Sequence, residues 1–386
     1  MRKRIILLGA SGCIGNKTID VIKQHEDLYE LIGITVGKNW QFADEYLSNN
    51  SVRYCCCQFE NDAERLTRKH PNVVFYHGDE GLQQITSIEG VDLVFNAIQG
   101  FAGLMPTINA IRHHTDVAVA NKESLVAAGD LVVKEAKEYN VNLIPVDSEH
   151  SAIFQTINGY QHEDIKKLII TASGGAFKNK SREELKQVTK ADALKHPRWQ
   201  MGEKITIDSA TMMNKGFEVI EAHVLFDMPY SKIETILHPE STVHSMTEFN
   251  DHAILAQLGV ADMRVAIQYA LSYPRKIDNS TESLDLCKLG ALHFYEMDHE
   301  RFPLVKLAYQ AGEMGGNMPA ILNGANETAV DAFLEEKCSF LDIERINFKV
   351  VELGKEIYKK DPDLDDIVYA NDWATSKAME LIKEVH

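Results

Sequence analysis

Across residues 1–150 short apolar runs alternate with helix-like segments, and this alternation constrains the fold more than any other feature of the chain. Strands are predicted at Ile5–Leu8, Leu31–Val36, Val52–Cys56, Val73–Tyr76, Leu93–Ala97, Val117–Ala120 and Leu143–Val146. Helices fall between most of them, for example Lys17–Gln24, Asn61–Lys69 and Lys122–Tyr139. Such an alternation predicts βαβ units on a mostly parallel sheet with helices on both faces. The fold class is therefore α/β at the N-terminus, a Rossmann-like domain over residues 1–150.

The pattern changes after 150. Lys167–Thr171, Lys204–Asp208, Thr235–His238 and Ile254–Leu258 read as strands, Phe217–Phe226 and Met263–Ser272 as helices. Ser181-Arg-Glu-Glu184 is a capping box that opens a short helix. Residues 151–290 thus form an α+β unit. No strand signal remains after about 290. A linker over 291–311 leads to a helical domain, 312–386, with amphipathic helices at Ile321–Glu336, Ile343–Lys359 and Trp373–Val385.

The 386 residues are too many for one ordinary core. A net charge of −17 repels nucleic acid and anionic membrane, so an anionic substrate needs a local cluster of donors. No apolar run is long enough to span a bilayer. The apolar run after Met1-Arg-Lys-Arg is too short for a secretory signal, which points to the cytoplasm. The six cysteines include no CxxC pair and read as reduced thiols, with Cys55 to Cys57 alternating faces of a strand.

Gly9-Ala-Ser11-Gly12-Cys13-Ile14-Gly15 lies between a strand and a helix. Glycines there let the backbone approach a pyrophosphate at a helix N-terminus. The GxxGxxG spacing is weak alone, and a Gly-rich turn without ligand is the plain alternative. The second strand ends Val36-Gly37-Lys38-Asn39, with no acid for a ribose 2′-hydroxyl. Lys38 suits a 2′-phosphate, which favours NADP over NAD; a solvated turn lysine is the other reading.

Ser209, Asn214 and Lys215 are what a phosphate needs: neutral donors and a point charge. Glu218 would repel phosphate unless a cation lies between them. Asp147 and Glu149 supply further oxygen ligands and, in an extended segment, would face one side. Carboxylates without Cys or imidazole partners suit Mg²⁺ or Mn²⁺. A helix N-cap with an acidic first turn explains Asp147-Ser148-Glu149 equally well. Ser173-Gly174-Gly175 is either an anion-binding nest or a turn. His196–Met201 is either a lid, with Trp199 and Met201 over a ligand, or a surface loop. Lys122, in Asn121-Lys122-Glu123, either polarises a substrate oxygen or sits solvated at a helix start. His238 is either near the site or core, and His244 is read as core.

Together these segments closely resemble the 1-deoxy-D-xylulose 5-phosphate reductoisomerase family. The matching stretches are GASGCIG, ANKESLV, VDSEHSAIFQ, TASGGAF, HPRWQMGEKITIDSATMMNKGFEVIEA, HPESTVHSM, LAQLGVADMR, RFPLVKLA and LNGANETAV, in order from Gly9 to Val330. The resemblance implies metal ligands at Asp147, Glu149 and Glu218. It implies substrate contacts from Ser148, Lys122, His196 and Trp199, and phosphate-end contacts from Ser173, Ser209, Asn214 and Lys215. Ser11, Gly12, Cys13, Ile14, Gly37, Lys38, Asn39, Asn121, Glu123 and Gly202 would contact NADPH. It further implies a homodimer, a flap at 196–201, and a retro-aldol/aldol rearrangement followed by hydride transfer. Cys13, Ala176, Ala261 and Gly324 depart from the family's usual residues, the last three with consequences for flexibility. A plain NADP-dependent dehydrogenase would not need three carboxylates. A non-catalytic NADPH sensor would not need Lys122, Asp147, Glu149, His196 and Glu218 together.

Overall fold

A computed structural model of the chain describes residues 2–385. The backbone divides into two compact units. The first runs up to Ser124 and takes in Val132–Asp147 and Met263–Thr281; the second holds Leu125–Leu131, Ser148–Asp262 and the chain from Glu282 on.

Among the described residues the first unit carries seven strands: β1 (Lys3–Leu8), β2 (Tyr29–Val36), β3 (Tyr54–Cys57), β4 (Val74–His77), β5 (Leu93–Asn96), β6 (Asp116–Val119) and β7 (Leu143–Pro145). Their order is β4-β3-β2-β1-β5-β6-β7, and every pairing is parallel. Ile5 to Leu8 are fully buried, as an unbroken apolar run covered on both faces requires. The strand order reverses at β1, and the carboxyl ends beside that switch are where such sheets bind ligands. The Arg264–Ser272 helix belongs to this unit, packed on the Cys13–Gln24 helix, with Lys3 Nζ donating to Leu271 O at 2.9 Å.

The second unit is built on β8 (Ile165–Ala172), β9 (Ile233–Leu237), β10 (Val243–Phe249), β11 (Ile254–Leu258) and β12 (Tyr295–Glu296), in the order β11-β10-β8-β9-β12. Only β8 and β9 pair in parallel among these. Leu168, Ile170 and Ile233 pack with Val219 and Phe226 of the Met213–Phe226 helix. The helices Pro303–Met314, Met318–Leu334, Phe340–Gly354 and Leu364–Val385 complete the unit. Gly324 lets two of them touch: a Cβ there would lie 2.5 Å from the Asn371 carbonyl oxygen. Among the described residues no helix is long and apolar enough to cross a membrane.

Several local expectations are corrected. Lys204–Asp208 is helical, inside Glu203–Thr211. The alternating Ile-Thr-Ile suggested a strand, but the segment is buried almost all round, with Lys204 and every residue from Thr206 to Thr211 inside, so the alternation does not mark one buried face. Lys204 Nζ lies 3.1 Å from Asp208 Oδ2 one turn on, an ion pair an extended chain would not make. Asp147 to Glu149 are not extended either, because the Ser148–Thr156 helix begins there. A short strand, β12, lies beyond residue 290, and the span assigned to a linker contains the start of the Pro303–Met314 helix.

Candidate functional site

The nucleotide end lies in the first unit. The helix after β1 begins at Cys13, four residues before its expected start, so Cys13, Ile14 and Gly15 form its first turn. No acid stands in that turn to oppose a phosphate at the positive end of the helix. Gly15 is required for this turn, since a Cβ would come within 2.2 Å of the Gly9 carbonyl oxygen. The loop is fixed to β2: Gly9 N donates to Thr35 Oγ1 at 2.9 Å and Ala10 N to Thr35 O at 2.8 Å. Ser11 is half-buried, while Gly12 and Cys13 are exposed. Gly37, Lys38 and Asn39 are exposed just past β2, and Asn39 Oδ1 accepts from Phe42 N at 3.1 Å as a helix cap. These residues fit a phosphorylated dinucleotide.

Asn121 caps the Lys122–Glu138 helix and its amide donates to Ile98 O and Gly100 O, both at 2.7 Å. Its buried side chain therefore clamps the loop after β5. Glu123 is buried beside it, and Lys122 Nζ donates to Asp147 Oδ2 at 2.6 Å with both groups largely buried. Asp147 is the residue bonded to Ser148, the first of the next helix.

In the second unit Glu149 and Glu218 offer oxygens within 4.8 Å of each other, and both accept from Lys215. Lys215 Nζ lies 3.0 Å from Glu149 Oε1 and donates to Thr171 O at 2.6 Å. Burial alone would lower the lysine's pKa; the Glu149 and Glu218 carboxylates outweigh it and hold the ammonium charged above its ordinary range. Asn214 Nδ2 also donates to Glu218, and Ser148 Oγ to Glu149 Oε2 at 2.6 Å. Two hard carboxylates turned toward one cationic point are suited to a divalent ion.

Ser173 Oγ lies 3.0 Å from His196 Nε2, and His196 Nδ1 accepts from Trp199 N at 2.8 Å. An acceptor at Nδ1 leaves the proton on Nε2, so the neutral ring donates to Ser173. Burial, reinforced by Lys178, lowers this imidazole's pKa to about 4. Trp199 is half-buried with its ring 6.0 Å from that of His244, while Gly202 is exposed. Ser209 is buried in the last turn of Glu203–Thr211, separated from Asn214 and Lys215 by Met212 in the left-handed region.

Three family models cover the chain: 1-deoxy-D-xylulose 5-phosphate reductoisomerase over residues 5–129, that enzyme's C-terminal domain over 143–226, and the DXP reductoisomerase C-terminal domain over 258–377. A 1-deoxy-D-xylulose 5-phosphate reductoisomerase from Macrococcus caseolyticus is 50% identical over 366 residues, 95% of this chain and 96% of its own. The chain belongs to the 1-deoxy-D-xylulose 5-phosphate reductoisomerase family. A relative of the same name from Lysinibacillus sphaericus is 48% identical over 99% of this chain and all of its own. A crystal structure of DOX-P reductoisomerase in complex with NADPH, fosmidomycin and magnesium superposes with a TM-score of 0.95 at 38% identity, covering 99% of this chain and 98% of the other. The Zymomonas mobilis reductoisomerase in complex with NADPH gives 0.89 at 39% identity, with 99% of each chain covered.

The chain also holds residues that the sequence did not single out. His150 Nε2 donates to the Glu218 carbonyl oxygen at 2.9 Å, and its Nδ1 lies 3.3 Å from Glu221 Oε2, all fully buried. A His on the Ser148–Thr156 helix and a Glu one turn after Glu218 give no signal until the two helices are packed. His238, whose role the sequence left open, ties down its own loop: Nε2 accepts from Thr242 N and Val243 N, and Nδ1 donates to His293 O. His244 is buried, as expected of a core residue, yet carries Trp199.

Proposed function

We propose that this chain converts 1-deoxy-D-xylulose 5-phosphate to 2-C-methyl-D-erythritol 4-phosphate with NADPH and Mg²⁺ or Mn²⁺, in non-mevalonate isoprenoid biosynthesis. The observation that carries the assignment of the site is Glu149 and Glu218 meeting at one buried cationic point. Asp147, Glu149 and Glu218 are the metal ligands. The bound cation supplies Lewis acidity toward neighbouring carbonyl and hydroxyl oxygens, and NADPH supplies hydride. Lys122, oriented by Asp147, and Ser148 hold the reacting end of the substrate. Ser173, Ser209, Asn214 and Lys215 hold the phosphate end, whose binding energy positions the carbons that react. His196, neutral, donates from Nε2, and the 196–201 segment with Trp199 covers the substrate and excludes water. Ser11, Gly12, Cys13 and Ile14 take the pyrophosphate, Gly37, Lys38 and Asn39 the 2′-phosphate, and Asn121, Glu123 and Gly202 the nicotinamide half.

The working unit is a homodimer. β11 is a sheet edge with Ile254 52% and Leu258 37% exposed, and an apolar edge of this kind is suited to pairing with its own copy. The six cysteines form no disulfide, which suits the reducing cytoplasm.

Titration with Mn²⁺, followed by the electron paramagnetic resonance signal of the free ion, tests the ligand assignment. Glu218→Gln removes charge and little volume, so the variant is expected to fold, to bind NADPH normally and to bind Mn²⁺ at least about tenfold more weakly. Equal Mn²⁺ affinity in the two proteins sinks the assignment.

A further inference from the structure

The carboxyl ends of β2 and β3 hold two residues, Gln58 and Phe59, that none of these roles uses. Val36 pairs with Cys57 in the parallel sheet, so Gly37 and Gln58 are the first residues past two neighbouring strand ends, followed by Lys38 and Phe59 respectively. Gln58 reaches across, its Oε1 3.7 Å from where a Cβ on Gly37 would stand. Phe59 is 48% exposed. It is also the N-cap residue of the Glu60–Lys69 helix, at φ −112° and ψ 140°, with no side-chain cap hydrogen bond.

Both properties work against stability. A phenyl ring left in water forgoes the gain of burial. An N-cap position favours Ser, Thr, Asp or Asn, whose oxygen takes one of the orphan N–H groups; phenylalanine takes none. Two local costs at one residue, on the ligand-binding edge of a doubly wound sheet, are explained if the ring has an occupant.

The chemistry of NADPH says which part of it arrives there. The 2′-phosphate and the adenine are carried on adjacent carbons of one ribose. With the phosphate at Lys38, the base lies beside the end of β2, and Phe59 follows the end of the neighbouring strand β3. We propose that Phe59 is the stacking platform for the adenine of NADPH, with the Gln58 amide at the edge of the base. A purine on an aromatic face is a favourable and sequence-tolerant contact. The inference rests on the placement of the 2′-phosphate at Lys38.

The test is calorimetric titration of the full chain with adenosine 2′,5′-bisphosphate, 5′-AMP and reduced nicotinamide mononucleotide, for wild type, Phe59→Ser, Phe59→Trp and Lys38→Ala. Phe59→Ser is expected to weaken both adenine nucleotides about tenfold and to leave the mononucleotide unchanged. It should also raise the melting temperature, because serine supplies the missing cap. Phe59→Trp should retain or tighten adenine binding. Lys38→Ala should abolish the preference for the bisphosphate over 5′-AMP. If that preference survives Lys38→Ala, the 2′-phosphate placement falls and the inference with it. If the preference is lost but Phe59→Ser binds both adenine nucleotides as wild type does, only the Phe59 inference falls.

Discussion

Lys215 shows how one side chain decides the state of the site. Its ammonium is the shared partner of Glu149 and Glu218, and without it the buried Glu218 and the half-buried Glu149 carboxylates face each other without that positive charge. Lys215→Gln is therefore expected to destabilise the metal-free chain by about 3–5 kcal/mol. Added Mg²⁺ should raise the melting temperature of the variant more than that of wild type, because the ion replaces the lost charge. Equal Mg²⁺ shifts in calorimetric melts would contradict this. His196 carries a pH dependence of the opposite origin. Its pKa falls from 6.5 to about 4 on folding, so between those values the unfolded chain binds a proton that the folded chain refuses. Stability from this residue is complete above pH 6.5 and is lost as the pH drops toward 4. His196→Gln should flatten that slope in urea melts taken across the window; parallel slopes would refute the buried neutral ring. Chemical type alone singled out the carboxylates and Lys215 as candidates. The assignment of each role came from the family resemblance, and the ammonium's contact with both glutamates needed the packed helices.

At the scale of elements, the parallel strands were legible because apolar runs buried on both faces leave a plain signature, as Ile5 to Leu8 do. β10 was not, because His244, Ser245 and Thr247 fill a buried central strand with polar groups. Thr247 Oγ1 meets Thr156 Oγ1 at 2.8 Å, a partner that no local pattern announces. Lys204–Asp208 was misread because β-branched alternation imitates a strand, while tertiary burial imposes the helix. The junction from that helix into Met213–Phe226 sets up a contest of terms at Met212, which has φ 63°. Glycine there would relieve about 1–2 kcal/mol of left-handed strain. Yet Met212 is buried against Ala172, Leu237, Phe302 and Val305, and removing a core side chain of this size costs about 2–5 kcal/mol. Burial wins, so Met212→Gly should lower unfolding stability by roughly 1–3 kcal/mol, measured by denaturant titration. A stabilised variant would show that strain outweighs packing.

For the whole molecule, the sequence separated a βα half from the α+β and helical remainder, but it did not reveal that Met263–Thr281 returns to the first unit. That return is a long-range contact, with Lys3 on Leu271 O and His25 Nε2 3.0 Å from Asp278 O, and neither partner advertises the other. Assembly poses the same problem, since β11 exposes Ile254 and Leu258 along an edge that a second copy would cover. Ile254→Lys should convert a dimer to a monomer in light scattering and leave the melting profile of the subunit recognisable; an unchanged mass would place the interface elsewhere.

In the proposed reaction one chain couples a carbon-skeleton rearrangement at a carboxylate-held cation to reduction by NADPH. The most direct measurement is NADPH oxidation by the purified protein given 1-deoxy-D-xylulose 5-phosphate and Mg²⁺, repeated with chelator, with the product identified by NMR. The expected product is 2-C-methyl-D-erythritol 4-phosphate in equimolar yield with NADPH consumed, with no turnover once the metal is removed. Oxidation indifferent to chelator, or a reduced product that keeps the unbranched carbon skeleton, would contradict it.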